Sequence, residues 1–246
     1  MSYRQSGKNQ WGINMVLKNS KQLRYHDSGD LQTTMLVKEA LQFGRVSKGN
    51  TKMPGTTFAI DAFACNVGSK LAEIEGTPCH DCYARKLQKL RPSVDKGWKA
   101  NLVKWQQSDK SLWVTSMVFQ IKRYNVDNYH RWFDSGDLQS VEMLHNIVDV
   151  ALLTPEIQHW LPTQERGIVK QYRKQYGMEP DNLTIRVSAS EVDTDTIPNF
   201  ECTSRVFTKK GKPLGKECKA RTRGNQCGSC RACWSKDVPV ISYPKH

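Results

Sequence analysis

From residue 56 onward, short β-forming runs alternate with longer stretches in which apolar residues recur every three or four positions. The runs at 56–63, 129–134, 157–161 and 182–187 are rich in Thr, Val, Ile and aromatic residues and predict strands. Helical spacing fills the intervals: 84–107 with a break near Pro92, then 112–124, then a helix opened by Ser140 and running to about Leu153, then 166–176. Trp98, Leu102 and Trp105 share one face of the first, and the 112–124 stretch is apolar enough to be buried. Ser140 supplies a hydroxyl cap, with Glu142 placed in the first turn. Upstream, the spacing of Leu31, Met35, Leu36, Ala40 and Leu41 predicts a helix over 31–43. Gly44, Gly49-Asn50 and Pro54 then predict a loop over 44–54.

Strands alternating with helices predict an α/β fold of parallel βα units on one sheet. In such sheets the C-terminal strand ends form the ligand face. Cys65, the Ser135-Gly136-Asp137 turn, Thr163 in the turn at 162–165, and the run from Ser188 to Glu191 all fall at those ends. The expected organisation is an N-terminal extension over 1–50, a βα core over 51–200, and a cysteine-rich segment over 201–246 packed on the core. That last segment crowds Lys209, Lys210, Lys212, Lys216, Lys219, Arg221 and Arg223 into a stretch poor in apolar residues, which predicts an exposed basic loop. A short apolar strand follows within 238–246. The stretch Asp27-Ser-Gly-Asp-Leu-Gln32 recurs at Asp134-Ser-Gly-Asp-Leu-Gln139, and of the two only the second follows a predicted strand.

Charge widens the range of expected partners. The net charge of +13 raises the expectation of a polyanionic partner, usually nucleic acid. No stretch approaches the roughly 18 apolar residues of a membrane span, and residues 1–8 lack the apolar run of a signal peptide. The expectation is a chain that stays in a reducing cytoplasm and makes no membrane contact. There, eight cysteines point to metal or redox chemistry, not to a disulfide framework.

Four of those cysteines, Cys218, Cys227, Cys230 and Cys233, lie within sixteen residues, the last three in C-x2-C-x2-C spacing. A single zinc site usually takes its thiolates as two separated pairs. A third cysteine in step is the rhythm of ferredoxin-type loops, so a [4Fe-4S] cluster is preferred and zinc is the alternative. Neighbours this close would be strained as disulfide partners. Cys65, Cys79 and Cys82 make a second group. Three thiolates on a [4Fe-4S] cluster leave one iron open to an outside ligand, whereas a lone zinc would need a fourth ligand such as His80. Asp137 offers a carboxylate for an amine or a cap for the next helix, and Gly136 permits close backbone approach. Glu191 and Asp193 are candidates for ribose hydroxyls or are solvated loop acids. Cys202 stands alone and is taken as structural, and His246 is a candidate neighbour of the C-terminal cysteines.

Gly49-Asn50-Thr51-Lys52, Cys65, Cys79-x-x-Cys82-Tyr83-Ala84, Asp134-Ser135-Gly136-Asp137, the Cys227–Trp234 stretch and Tyr243-Pro-Lys-His246 together resemble the phage gene product 88 domain over residues 45–246. The resemblance implies a bacteriophage origin, hence the host cytoplasm, and carries no activity with it. A more distant likeness is to radical S-adenosylmethionine (SAM) enzymes. These are partial (βα) barrels with cluster cysteines after the first strand and a Gly-Gly-Glu-like turn, which binds the methionine amine, after the second. That likeness implies a partial barrel-like parallel sheet carrying a cysteine-rich metal-binding C-terminal segment. It also implies a SAM-binding face that includes Ser135, Gly136 and Asp137. The radical SAM spacing is C-x3-C-x2-C. Here thirteen residues separate Cys65 from Cys79, while the final C-x2-C and its following aromatic, Tyr83, are kept.

Overall fold

The computed structural model describes residues 23–25, 31–33, 35–194, 197 and 199–245. Most of the first copy of the repeated stretch, and His246, lie outside them. Strands β1 (Leu23–Tyr25) and β2 (Leu31–Thr33) pair antiparallel. The helix expected over 31–43 is therefore shorter: α1 spans Val37–Phe43. Pairing with 23–25 takes the first residues, and the Glu39 carboxylate accepts the Leu36 N–H at 2.9 Å to open the helix.

Seven further strands form one all-parallel open sheet: β3 (Thr56–Phe58), β4 (Tyr129–Trp132), β5 (Gln158–Thr163), β6 (Leu183–Ser188), β7 (Thr203–Phe207), β8 (Lys216–Glu217) and β9 (Val240–Pro244). Their order is β3-β4-β5-β6-β7-β9-β8. Thus β3 and β8 are the edges, and among the described residues no ladder joins them. The other helices are α2 (Asn66–Leu71), α3 (Tyr83–Leu90), α4 (Pro92–Gln107), α5 (Lys110–Tyr124), α6 (Val141–Leu152) and α7 (Arg166–Tyr176). Pro92 starts α4, where its missing N–H costs nothing. The Ser140 hydroxyl accepts the Met143 N–H at 3.1 Å, as a cap should.

Three expectations about strands are corrected. The first strand ends at Phe58, and a 3-10 turn at Ala62–Ala64 carries the chain on to Cys65. The third runs through Pro162 to Thr163, because proline's fixed φ suits extended backbone and costs only one donor. The basic stretch is exposed at its named cations as expected, but it contains the short strand β8 and is preceded by an unexpected strand, β7, whose Thr203, Ser204 and Arg205 are buried between β6 and β9.

Helices α5, α6 and α7 cover one face of the sheet. There Phe58, Trp113 and Trp132 meet edge-on or tilted, with ring centroids 5.7–6.1 Å apart and each ring at most 1% exposed. Such pairs add about 0.5–1.5 kcal/mol each beyond the area they bury. His130 and His159 are sealed below the same face. Burial holds both imidazoles well below their usual pKa, His159 down to about 3, so they are neutral parts of the scaffold. Side chains that alternate to the other face meet the C-terminal segment instead. Tyr129, Trp160 and Trp234 pack together at centroid distances of 5.2–5.4 Å. The Trp234 carbonyl accepts the Thr184 hydroxyl at 2.8 Å, and its indole N–H donates to the His130 carbonyl at 2.9 Å. The cysteine-rich segment is thereby laid across β4, β5 and β6. Among the described residues no helix is long and apolar enough to cross a membrane.

Candidate metal centres

Cys65 closes the 3-10 turn after β3 and opens α2. The residues between Cys65 and Cys79 are spent on α2 and the turn behind it, which Thr77 stitches. Its hydroxyl donates to the carbonyls of Leu71 (2.6 Å) and Ile74 (2.9 Å) and accepts the His80 N–H at 3.1 Å. The turn brings Cys79 back to Cys65. Each sulfur lies 3.7 Å from the point a Cβ on Gly68 would occupy, and that Cβ would sit 3.0 Å from Cys65 Cβ. The missing side chain at Gly68 keeps this cradle open. Cys82 N–H closes a turn onto the Cys79 carbonyl at 3.2 Å, and Cys82 caps α3. Burial pushes the Cys65 thiol far up and Cys79 up to about 12. Negative charge on Asp137 and on the partner sulfurs adds to the burial at both. The three cysteines therefore share one electrostatic site.

The turn after β4 is built against that site. Gly136 has φ +80°, and a Cβ there would meet Ile60 Cγ1 at 2.2 Å. The close approach it permits is to the chain itself, where Ile60 N–H also donates to the Ser135 carbonyl at 3.0 Å. Asp137 accepts from Thr163 Oγ1 (2.6 Å), Gln164 N (2.8 Å) and Leu138 N (2.8 Å). Its carboxylate thus ties the β4 turn to the β5 turn. Burial nevertheless raises its pKa to about 7. Ser135 is 3% exposed, and neither its hydroxyl nor Asp134 Oδ1 has a hydrogen-bond partner among the described residues. Glu165, which the sequence reading left in a turn, is 5% exposed and accepts the Val67 N–H at 2.8 Å, pinning α2 beside the cysteines.

The remaining candidates are placed differently. Ser188 Oγ pairs with Ser204 Oγ at 3.1 Å within the sheet. Glu191 is exposed. Asp193 holds Thr208 through its N–H (2.8 Å) and hydroxyl (2.6 Å), so its oxygens already serve to close a loop. His80 Nδ1 lies 3.2 Å from the Ala72 carbonyl, which accepts its N–H. Cys202 is buried with its thiol 3.8 Å from the Lys236 carbonyl.

The C-terminal group lies on the face opposite the helices. Cys218 N–H bonds to the Ser242 carbonyl of β9 (2.8 Å), Cys227 N–H to the Lys52 carbonyl (2.7 Å), and Cys230 N–H to the Cys227 carbonyl (3.1 Å). Cys233 Sγ lies 3.2 Å from the Tyr243 hydroxyl. Burial pushes the Cys233 thiol up to about 11, against the pull of Tyr243, Arg186 and Arg131. Cys227 is also raised by burial, with Cys218 and Cys230 adding to it. Arg131 stacks 4.6 Å above Trp160 and stands between the two groups. Its charge is felt by Tyr83, whose hydroxyl donates to the Asp134 carbonyl, and by Cys233 and Tyr243 on the other side. Among the described residues, no three His, Cys, Asp or Glu side chains gather tightly enough to hold a single metal ion.

No curated protein and no solved structure matches the chain. The sequence model of one family matches residues 45–236, the span that carries six of the sheet's seven strands and both cysteine groups, and the chain belongs to that family, Gene product 88.

Proposed function

We propose that the protein is an iron–sulfur protein whose Cys65, Cys79 and Cys82 hold a [4Fe-4S] cluster with one iron open, and that it acts as a radical SAM-like enzyme. The observation that carries the reading is the convergence of three half-buried thiols at the C-terminal ends of parallel strands, two of them, Cys65 and Cys79, over Gly68. Cys218, Cys227, Cys230 and Cys233 supply four thiolates, enough to close a second cluster, and Arg131 and Arg186 set positive charge beside it. The run β3-β4-β5-β6-β7 in sequence order is compatible with a partial barrel.

A cluster with an open iron supplies a low-potential electron to the ligand bound there. The chain's own part is positional. Glu165 and Asp137 hold the helix and turns that frame the three thiols. The unpartnered Ser135 hydroxyl and Asp134 Oδ1 are polar groups available to an incoming ligand. Calorimetry on anaerobically reconstituted protein is expected to show SAM binding, and dithionite to release 5′-deoxyadenosine. Absence of both would remove the radical SAM reading.

A second reading is that the protein binds nucleic acid without turnover. Lys209, Lys210, Lys212, Lys216, Lys219 and Arg223 are exposed and form no ion pair among the described residues. Arg221 continues the surface by donating to the Lys245 carbonyl at 2.8 Å. Electrophoretic shifts should weaken steeply between low and moderate salt, because released counterions supply the affinity. No shift at low salt would dismiss this reading.

A further inference from the structure

A cavity of about 280 Å³ opens directly beside Cys82. Its wall is one side of α3, which presents Arg85, Lys86 and Lys89, together with His80 and Glu73 from the preceding turns. Three cations on one helical turn repel each other. Among the described residues only Lys86 has an acid partner, Asp81 at 3.2 Å, and that pair is exposed. Arg85 stacks 4.7 Å from the Phe63 ring, with Lys89 Nζ 5.7 Å from the same ring. The stack fixes the guanidinium plane and leaves its edge to bond. Arg85 Nη1 is buried and has no hydrogen-bond partner among the described residues. A buried guanidinium donor without an acceptor is costly. A planar fork with its stem locked is the arrangement that receives a tetrahedral oxyanion.

We propose that this cavity is a phosphate-binding site, which holds an organic phosphate through Arg85 and Lys89 at the rim of the three-cysteine cradle. Lys86 contributes charge at the entrance, and Glu73 is the acid that limits the site to a small anionic group. The cavity lies within reach of Cys82, so a phosphate held there places the rest of its molecule at the cradle. The site rests on the cavity and its cations and does not require a cluster. The phosphate could belong to a mononucleotide or to a strand. Asp81 bridges Lys86 to Lys245 (3.5 Å), and Lys245 in turn receives Arg221, so a strand has a continuous basic path away from the cavity.

The test is isothermal titration of the purified chain with inorganic pyrophosphate, with ADP and with a single-stranded oligonucleotide, iron content being measured on each sample. Pyrophosphate and ADP are expected to bind. Arg85→Gln and Lys89→Glu should each weaken them by roughly tenfold, the loss of one charge-assisted contact, and Lys210→Glu should leave them unchanged. Lys89 is exposed, so its variant keeps the question open even if Arg85→Gln fails to fold. Tighter binding of the oligonucleotide, still sensitive to Lys89→Glu, assigns the phosphate to a strand. No binding of pyrophosphate at millimolar concentration, or binding indifferent to both α3 variants, overturns the site. Oligonucleotide binding that responds only to Lys210→Glu overturns it as well. Phosphate binding by iron-free protein would leave the site standing while the cluster reading fails.

Discussion

Arg186→Leu is expected to unseat the cysteine-rich segment and cost about 3–5 kcal/mol of stability. Arg186 is fully buried. Its Nη1 donates to the carbonyls of Thr203 (3.0 Å), Val238 (2.9 Å) and Pro239 (3.3 Å), and its Nη2 to those of Ala232 (3.3 Å) and Ser235 (3.0 Å). One guanidinium thus satisfies the backbone on both sides of the turn that follows Cys233. Leucine fills much of the volume but removes all five of these bonds; the carbonyls of Pro239, Ala232 and Ser235 keep a backbone N–H each, from Thr203 (2.7 Å), Ser235 (3.2 Å) and Val238 (3.4 Å), and any carbonyl left dry costs about 1–3 kcal/mol. Partial hydration as the segment lifts brings the sum down to the stated range. Arg186→Lys should rescue little, because a point charge cannot reach five acceptors spread around a planar fork. Urea denaturation of the three proteins measures this. A loss below about 1 kcal/mol in Arg186→Leu would show that the segment is held by Trp234 and the strands alone.

The helices were visible in the sequence where local chemistry marks their ends. Arg166–Tyr176 begins after the turn at Glu165 and stops at Gly177, whose φ of 87° an L-residue resists. Ser140 announced α6 by its hydroxyl. The misreadings arose where distant partners decide. Residues 31–33 have helical apolar spacing but pair with 23–25. The β7 strand hides among cations because its burial depends on β9, more than thirty residues later. Both cysteine groups were visible, since thiol spacing is a local signal. The residues that support them were not. Arg131, Glu165 and Arg186 are charged residues in ordinary company, and nothing local says that Glu165 and Arg186 are buried or that Arg131 stacks on Trp160. The signal for Arg186 was strand alternation: Leu183 and Ile185 go to the helices, so Thr184 and Arg186 must face something else. Gly136 was recognised as a turn glycine, but the neighbour that requires it, Ile60, sits in a different loop.

Cys82→Ala and Cys230→Ala are each expected to lose about four irons and to spare the other centre. The expectation follows from the separation of the two groups. Cys65 and Cys79 flank Gly68 at the strand ends, and their thiols interact with each other, with Cys82 and with Asp137. Cys218, Cys227, Cys230 and Cys233 interact among themselves on the opposite face from the helices, with Arg131 between the groups. Removing one sulfur from a three-thiolate site leaves two, too few to hold a cubane. Removing one from the four-thiolate site leaves three on a half-buried loop that, unlike the first site, has no outside ligand for the opened iron, so water displaces the cluster there. Burial raises Cys79 to about 12 and Cys233 to about 11, so these thiols are protonated at neutral pH until a metal displaces the proton. Both centres should therefore load poorly and release metal as pH falls, because each proton regained removes a ligand. Iron, sulfide and zinc analysis after anaerobic purification, at neutral and mildly acidic pH, measures this for the parent and both variants. Loss of all colour in either single variant would mean one shared centre. A colourless parent with stoichiometric zinc would refute the clusters and return the seven cysteines to a structural role, since zinc closed by four ligands offers no open position for chemistry.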